Sequence, residues 1–535
     1  MNGSFDCADT LRRKRPSRAG IDKARKQRSK KVAGWSPRSA PRARPNLLTT
    51  ESNWAKITVI RCKHVLQSAS SASTSGSAAL LAAQRLRPSV PHRNSAVLAV
   101  APATEPAEKV RQNALSKQLA SRLDDRPESV LNDPVIVADY WNEAPYFDEP
   151  KLWQISVILA SSDGGDDQAE ATHAGGAGVT KSDAVWKAAG EAVERWSLLP
   201  SQADCFAQAT WSELSDAAFD PNCVVAGRMR LAPERRHLRL SWVQAVDNLE
   251  RTRYIPAQLI LVPFLFPENE TILRSPITTG AAAALDENEA KRRGLLEIIE
   301  RDAFMLWWLR QWELGLLDSG EVASLSPTLS FLVEEFQRYR FEPHFLVLYT
   351  DAPAVIVACV LEDQSSYPKV RFTVGARAAL RIEDACRDSL LEAYQLRCWV
   401  RSLPQHFTTP ETLEGRARYL RSNVAETSIE RALKKVHVIS VQSIADMTTV
   451  FSLANFARVT GADVFFVDLT SRLPQKTCDA GWISVKAVVP TFQPLYLTES
   501  LQDIAWERIQ RIERMLGLTS SYDAQSVNRI PHPFL

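Results

Sequence analysis

Apolar and polar residues alternate over Leu152-Trp-Gln-Ile-Ser-Val-Ile-Leu159, which predicts a strand. Thr180 and Asp183 then fit a capping box, opening a helix that runs to about Leu199 and stops before Pro200. Strands are expected at 238–244 and 254–264. Asp286 and Glu289 make a second helix start, for a long helix reaching about Trp312. Further strands fit Phe345–Tyr349, Ala354–Leu361 and Val370–Val374, and a third long helix spans roughly 382–400. Residues 428–460 read as mostly helical around a short strand at Val436–Val441. Strands at Asp463–Asp468 and Ile483–Val489, a helix at 498–516 and a proline-rich end, Pro531-His-Pro-Phe-Leu535, complete the chain. Strands alternating with helices give a mixed α/β class; the order of strands in the sheets is not readable from the pattern. Upstream, a strand at Ala55–Ile60, a low-complexity linker over 67–84 and an exposed helix over 105–123 are expected. The compact part begins near Asp133. This gives two regions: a basic, low-complexity, largely disordered stretch over 1–130 and one domain over 131–535.

Composition narrows the class without changing it. Of 535 residues, 45% are hydrophobic and 24% charged, as in soluble globular proteins. The net charge of +3 conceals an asymmetry: residues 1–45 hold 14 Lys/Arg against three Asp, so the remainder is acidic. A basic tail of this kind attracts polyanions without sequence specificity, and no module for specific nucleic-acid binding accompanies it. The eight cysteines form no Cys-x-x-Cys pair and the eight histidines show no ligand spacing, which argues against a zinc ribbon and a disulfide scaffold. No apolar run is long enough to span a membrane, and the first residues lack the apolar core of a secretory signal. A cytoplasmic location with reduced thiols is expected.

The chemistry lies in one stretch, Gly294-Leu-Leu-Glu297-Ile-Ile-Glu300-Arg301-Asp302-Ala-Phe304. It sets two carboxylates at i and i+3, on nearly the same helix face, within apolar surroundings. Like charges so close repel unless a cation intervenes. Glu191-Ala-Val-Glu194-Arg195 repeats the pattern, and Glu392-Ala-Tyr-Gln395-Leu-Arg397 repeats it with Gln as second member and the arginine displaced by one. A single Glu-x-x-Glu-Arg is ordinarily a structural ion pair. Three in series, each after a stretch of small residues (Ala174–Gly178, Thr278–Ala284, Val374–Arg377), point to a shared site. The small-residue stretches are expected to be strand-and-loop segments whose N–H groups approach an anion. Gly175-Gly-Ala-Gly-Val-Thr180-Lys181-Ser182 is not a P-loop, because Thr180 replaces the required glycine. Hard divalent cations take oxygen ligands, and Mg²⁺ combines a few carboxylates with substrate phosphates, so a Mg–nucleotide site on helices is the reading. Met305-Leu-Trp307-Trp308 reads as core, and Cys386 and Cys398 as inert thiols.

These three segments in this order, with Asp468-Leu-Thr470, Gly481, Val488-Val-Pro490, Gln493-Pro-Leu495 and the Pro-His-Pro-Phe end, resemble the YcaO family over about residues 130–535. The resemblance implies an ATP-binding α/β fold with three Glu-bearing helices packed on sheet. It further implies a cyclodehydratase that makes thiazolines or oxazolines from Cys, Ser or Thr of a ribosomal precursor peptide. ATP and Mg²⁺ would be the cofactors. Carried over by position, Glu191, Arg195, Thr278, Thr279, Arg301 and Gln395 would bind ATP. Glu194, Glu297, Glu300 and Glu392 would hold the metal, and Pro531, His532 and Pro533 would be the catalytic C-terminal motif. Thr278-Thr279 stands where many members have Ser-Asn, Lys187 stands where Ser is frequent, and Leu535 replaces a last proline. Partners implied are the precursor peptide and a separate leader-binding protein, with a homodimer compatible and no membrane. Alternative readings are a thioamide- or amidine-forming relative and a non-catalytic scaffold in a maturation complex.

Overall fold

Three sheets each end in an edge strand that runs straight into a long helix, and this unit occurs three times. The computed structural model describes residues 125–160, 173–201, 204, 206–225, 234–366, 368–404, 409–499, 503–519 and 526–535. All fall within one compact unit. The strand expected at 55–60, the 67–84 linker and the 105–123 helix lie outside the described residues. The first described helix, Arg126–Leu131, straddles the boundary expected at 130/131 and packs Val130 and Leu131 into the core.

The first sheet holds β1 (Val137–Asn142), β2 (Trp153–Leu159) and β3 (His173–Gly178), all antiparallel. From β3 the two residues Val179 and Thr180 lead into α1 (Lys181–Leu198), with the capping box formed as expected. The second sheet contains β4 (Ala207–Ala209), β5 (Leu240–Asp247), β6 (Thr252–Pro256) and β7 (Ala281–Ala284). Leu285 and Asp286 connect β7 to α2 (Glu287–Arg310). The third sheet holds β8 (Leu314–Leu317), β9 (Phe341–Val347), β10 (Val355–Asp363) and β11 (Phe372–Ala379). Leu380 and Arg381 connect β11 to α3 (Ile382–Ser402). Later strands complete two sheets. β12 (Val436–Ile439) joins the third beside β8, while β13 (Phe465–Asp468) and β14 (Ile483–Val488) join the second. Their orders are β11-β10-β9-β8-β12 and β4-β5-β13-β14-β7, with β6 beside β5. Thus β3, β7 and β11 each sit at a sheet edge, and a two-residue turn folds the following helix back towards that edge.

Helix α2 is the centre of the core. Leu295, Ile299, Phe304, Met305, Leu306, Trp307 and Trp308 are all buried, which places the tryptophan pair in the core as expected. Its end is fastened to α4 (Trp506–Met515): Arg508 bonds Asp302 at 2.6 Å and Asp351 at 2.9 Å, and Arg310 bonds Glu513 at 2.7 Å. Buried pairs of this kind cost more to break than to replace. Among the described residues no helix is long and apolar enough to cross a membrane.

Three expectations are corrected. The small-residue stretches Ala174–Gly178 and Val374–Arg377 are strand throughout rather than part loop, and Ala281–Ala284 is a four-alanine strand that helix propensity disguises. The strand expected over 254–264 ends at Pro256 in a 3-10 turn. β9 begins at Phe341 rather than 345, because Pro343 lies beyond the part of β9 paired with β8 and need not donate there.

The small residues bring helix and strand into contact. A Cβ on Gly375 would strike the backbone of Ser389 and Ala393 and lie 2.9 Å from Glu392 Cβ. Gly190, inside α1, would meet only Trp482 at 3.9 Å. Gly375→Ala is therefore expected to destabilise the protein by about 1–3 kcal/mol in denaturant unfolding. Gly190→Ala is expected to be neutral or to stabilise by up to about 1 kcal/mol through helix propensity. Equal effects would contradict the close approach of α3 to β11.

Candidate active site

An edge strand leaves a row of N–H groups without partners, and buried orphans of this kind must be satisfied. Here the motif glutamates satisfy them. Glu191 on α1 accepts from Gly175 N at 2.8 Å, Glu297 on α2 from Gly280 N at 3.0 Å, and Glu392 on α3 from Ala376 N at 2.7 Å. Each first glutamate thus holds the strand, or the turn leading to the strand, that precedes its own helix. The second member reaches onward. Glu194 accepts from Ala283 N at 2.9 Å in the second unit, and Glu300 accepts from Ala378 N at 2.8 Å in the third. Gln395 on α3 closes the ring, its Nε2 standing 3.0 Å from where a Cβ of Gly175 would be. The i, i+3 spacing sends one carboxylate to the helix's own strand and the other to its neighbour's.

The arginines fill the gaps. Arg195 bonds Glu191 at 2.9 Å. Arg301 bonds Glu300 at 2.8 Å and lies 3.5 Å from Glu297 and 3.8 Å from Glu392, so it bridges α2 and α3. Arg397 is turned away: it sits five residues after Glu392 rather than four and pairs with Asp363 at 2.8 Å. Thr278 offers its carbonyl to Ala281 N at 3.1 Å, while among the described residues the Thr278 and Thr279 hydroxyls bond no protein group.

Burial raises the Glu194 pKa to about 8, with Glu297 and Glu191 adding to the effect and the Ala283 N–H opposing it. Burial raises Glu300 to about 8 against the pull of Arg301, with Glu392 contributing, and Glu392 is raised for the same reason. For Arg301, burial works downwards, yet Glu300, Glu392 and Glu297 outweigh it and the guanidinium stays charged. A carboxylate whose ionisation is disfavoured by burial suits a divalent cation. Among the described residues, no three acidic, His or Cys side chains stand close enough to hold one ion alone. The donors are spread around a ring, which suits Mg²⁺, an ion that keeps waters and phosphate oxygens beside one or two carboxylates.

The C-terminal residues lie behind Arg301. Phe534 stacks on Phe304 at 4.5 Å and supports the Arg301 guanidinium from 4.1 Å. His532 is 1% exposed, with Nε2 2.6 Å from Tyr496 O, and Arg416 bonds its carbonyl at 3.1 Å. Burial, with Arg416 nearby, lowers its pKa to about 3, so the ring is neutral and Nε2–H donates. Pro533 is buried and Pro531 half-buried in the same segment.

Two groups escape the motif pattern. Lys486 on β14 is 1% exposed and donates to Ile277 O at 2.8 Å and Thr278 O at 2.7 Å, fixing the turn before β7. Burial lowers its pKa to about 7, opposed by Glu297. A lysine at an inward position of an apolar strand is a readable signal. Lys187 pairs with Asp388 at 3.1 Å, tying α1 to α3 one turn before Glu191 and Glu392.

The raised carboxyls fix the sign of a pH effect. Their folded pKa exceeds the unfolded value, so the stability they contribute is fully present below about pH 4.5 and is lost as pH rises towards 8. The Tm of metal-free protein in chelator should fall over that window. Glu300→Gln should flatten the fall, because an amide oxygen still accepts from Ala378 N but cannot ionise. An unchanged slope would contradict the burial of an ionisable Glu300.

Comparisons with known proteins give the family and the fold. Residues 175–493 match a family model described as YcaO cyclodehydratase, ATP- and Mg²⁺-binding. An uncharacterized protein of Methanothermobacter thermautotrophicus is 27% identical over 354 residues, 63% of this chain and 85% of that protein. Among solved structures, a heterocyclase in complex with substrate and cofactor superposes with TM-score 0.62 at 19% identity, covering 77% of this chain and 57% of that one. The chain thus spans little more than half of that heterocyclase. YcaO from Methanopyrus kandleri, bound with AMPPCP and Mg²⁺, gives 0.52 at 18% identity over 72% of this chain and 93% of that one. The match includes all three Glu-bearing helices that ring the site, and the chain belongs to the YcaO family of ATP- and Mg²⁺-binding proteins.

Proposed function

We propose that the protein is an ATP- and Mg²⁺-dependent cyclodehydratase that converts Cys, Ser or Thr of a ribosomal precursor peptide into thiazoline or oxazoline rings. The observation that carries this reading is the ring of backbone-anchored carboxylates. Each motif glutamate has one oxygen fixed on the N–H of a strand or of the turn leading into one, so the ring has a defined shape before any ligand arrives. Preorganised charge of this kind is what phosphoryl transfer requires of a protein. Glu194, Glu297, Glu300 and Glu392 would hold Mg²⁺. Glu191, Arg195, Thr278, Thr279, Arg301 and Gln395 would hold the nucleotide. ATP with Mg²⁺ supplies the phosphoryl group that turns the amide-derived oxygen into a leaving group, so ring closure loses water overall.

The chain's own residues position. Arg301, pinned between Glu300 and the Phe534 ring, is held rather than mobile, and an immobilised guanidinium loses little entropy on meeting a phosphate. The Pro531–Phe534 segment acts through Arg301: its neutral His532 anchors the tail to Tyr496. The peptide itself is expected to be delivered by a separate leader-binding protein. A multi-protein arrangement is seen in the Escherichia coli microcin synthetase McbBCD complex, which superposes with TM-score 0.50 at 16% identity over 66% of this chain and 88% of that one.

Incubation with a precursor peptide, its partner protein, ATP and Mg²⁺ should give losses of one water mass per ring in mass spectrometry. Glu297→Ala and Glu300→Ala should each lower turnover at least about 100-fold while the fold survives. ATP consumption without water loss would favour a thioamide- or amidine-forming reaction. Absence of nucleotide binding would overturn the enzyme reading.

A further inference from the structure

Beside the ring stands a cation, Arg377, that forms no hydrogen bond or ion pair among the described residues. Arg377 lies on β11 between Ala376 and Ala378, whose N–H groups hold Glu392 and Glu300. Its side chain is exposed, yet its charge is close enough to favour ionisation of Glu300, Glu392 and Asp388. The nearby carboxylates already have partners: Asp388 is held by Lys187 at 3.1 Å and Arg387 at 3.0 Å, and Glu300 by Arg301 at 2.8 Å. The Arg377 charge works against that of Arg301, while Glu300, Asp388, Glu392 and Glu297 hold the Arg377 guanidinium charged. A structural arginine would resolve that by pairing, and this one does not. The corresponding place in the first unit, counted from the N–H that holds Glu191, is Gly176, where a Cβ would collide with Ala184 and Ala188. The charge at 377 is therefore a feature of the third unit rather than of the repeat.

We infer that Arg377 is a phosphate-binding residue, which contacts the phosphate chain of the Mg-nucleotide from the β11 side. The inference rests on the nucleotide reading of the ring. A guanidinium offers paired donors that match two phosphate oxygens, and a free one at the open rim can bind without first breaking an ion pair. Arg195, by contrast, is already engaged with Glu191.

The test is calorimetric titration of the full chain with Mg–AMPPCP and, separately, AMP. Arg377→Ala should weaken Mg–AMPPCP at least about tenfold, the scale of a charge-assisted hydrogen bond, and AMP less. Arg377→Lys should fall between, keeping the charge and losing the fork. Arg381→Ala, removing an exposed arginine that pairs with Glu383, should bind as wild type. Wild-type affinity in Arg377→Ala overturns the inference alone. So does weakening of both ligands to the same degree with a lowered Tm, which marks a structural role. Failure of the wild type to bind Mg–AMPPCP overturns the nucleotide reading beneath it.

Discussion

The structure depends on hydrogen bonds between helix glutamates and the N–H groups of edge strands. An unpaired edge is ordinarily a liability, to be covered or charged. Here three edges face one another, and carboxylates from three helices cover them. The same bonds do two things. They satisfy donors that burial would otherwise orphan, and they fix one oxygen of each carboxylate. Because Glu194 and Glu300 reach a neighbouring unit, the three sheets are tied into one assembly through the site itself. Site and scaffold therefore share residues: removing a glutamate loosens one strand-edge contact as well as removing a ligand.

The ring is costly without its cation, and the surrounding structure compensates in identifiable places. Arg301 neutralises the α2 and α3 carboxylates and is braced by Phe534 from below. Lys486 sits under the second unit and ties the Ile277–Thr278 turn to β14. The chain's last residues are thus part of the site's foundation, although they follow the last long helix and contribute no strand. Their anchoring runs through Trp308 Nε1 to Ile530 O at 2.8 Å and the buried bond from Arg416 to His532 O, both contacts to distant segments.

Much of this was legible in the sequence, and the misses have physical causes. Periodicity and caps located α1, α2 and α3 to within about two residues, because long amphipathic or buried helices with Thr180 or Asp286 at their starts are strong local signals. The two carboxylate pairs and the Glu392–Gln395 pair were read from spacing, and the family resemblance from those segments together with Asp468-Leu-Thr470 and the Pro-His-Pro-Phe end. What failed was the reading of small residues. Gly175–Gly178, Ala281–Ala284 and Gly375–Ala379 look like loops or helix by propensity, yet form strands, because tertiary packing requires strands with almost no side chain beneath a close helix. Lys486 was missed because it sits in no motif, and Arg377 was read only as the end of the small-residue stretch Val374–Arg377; the fold brings both beside the ring. The destination of the second glutamates, a strand in the next unit, depends on sheet order, which no local pattern contains.

The central claim is that the buried carboxylates of the three helices form one site for Mg²⁺ and nucleotide. Calorimetry of Mg–nucleotide binding near neutral pH, in buffers of differing ionisation enthalpy, counts the protons exchanged. Burial raises the pKa of Glu194 and Glu300 to about 8, so binding of a cation to them should release protons to the buffer. Mg²⁺-dependent binding with net proton release is the expected result. Binding that is indifferent to Mg²⁺, or that exchanges no protons, would contradict it.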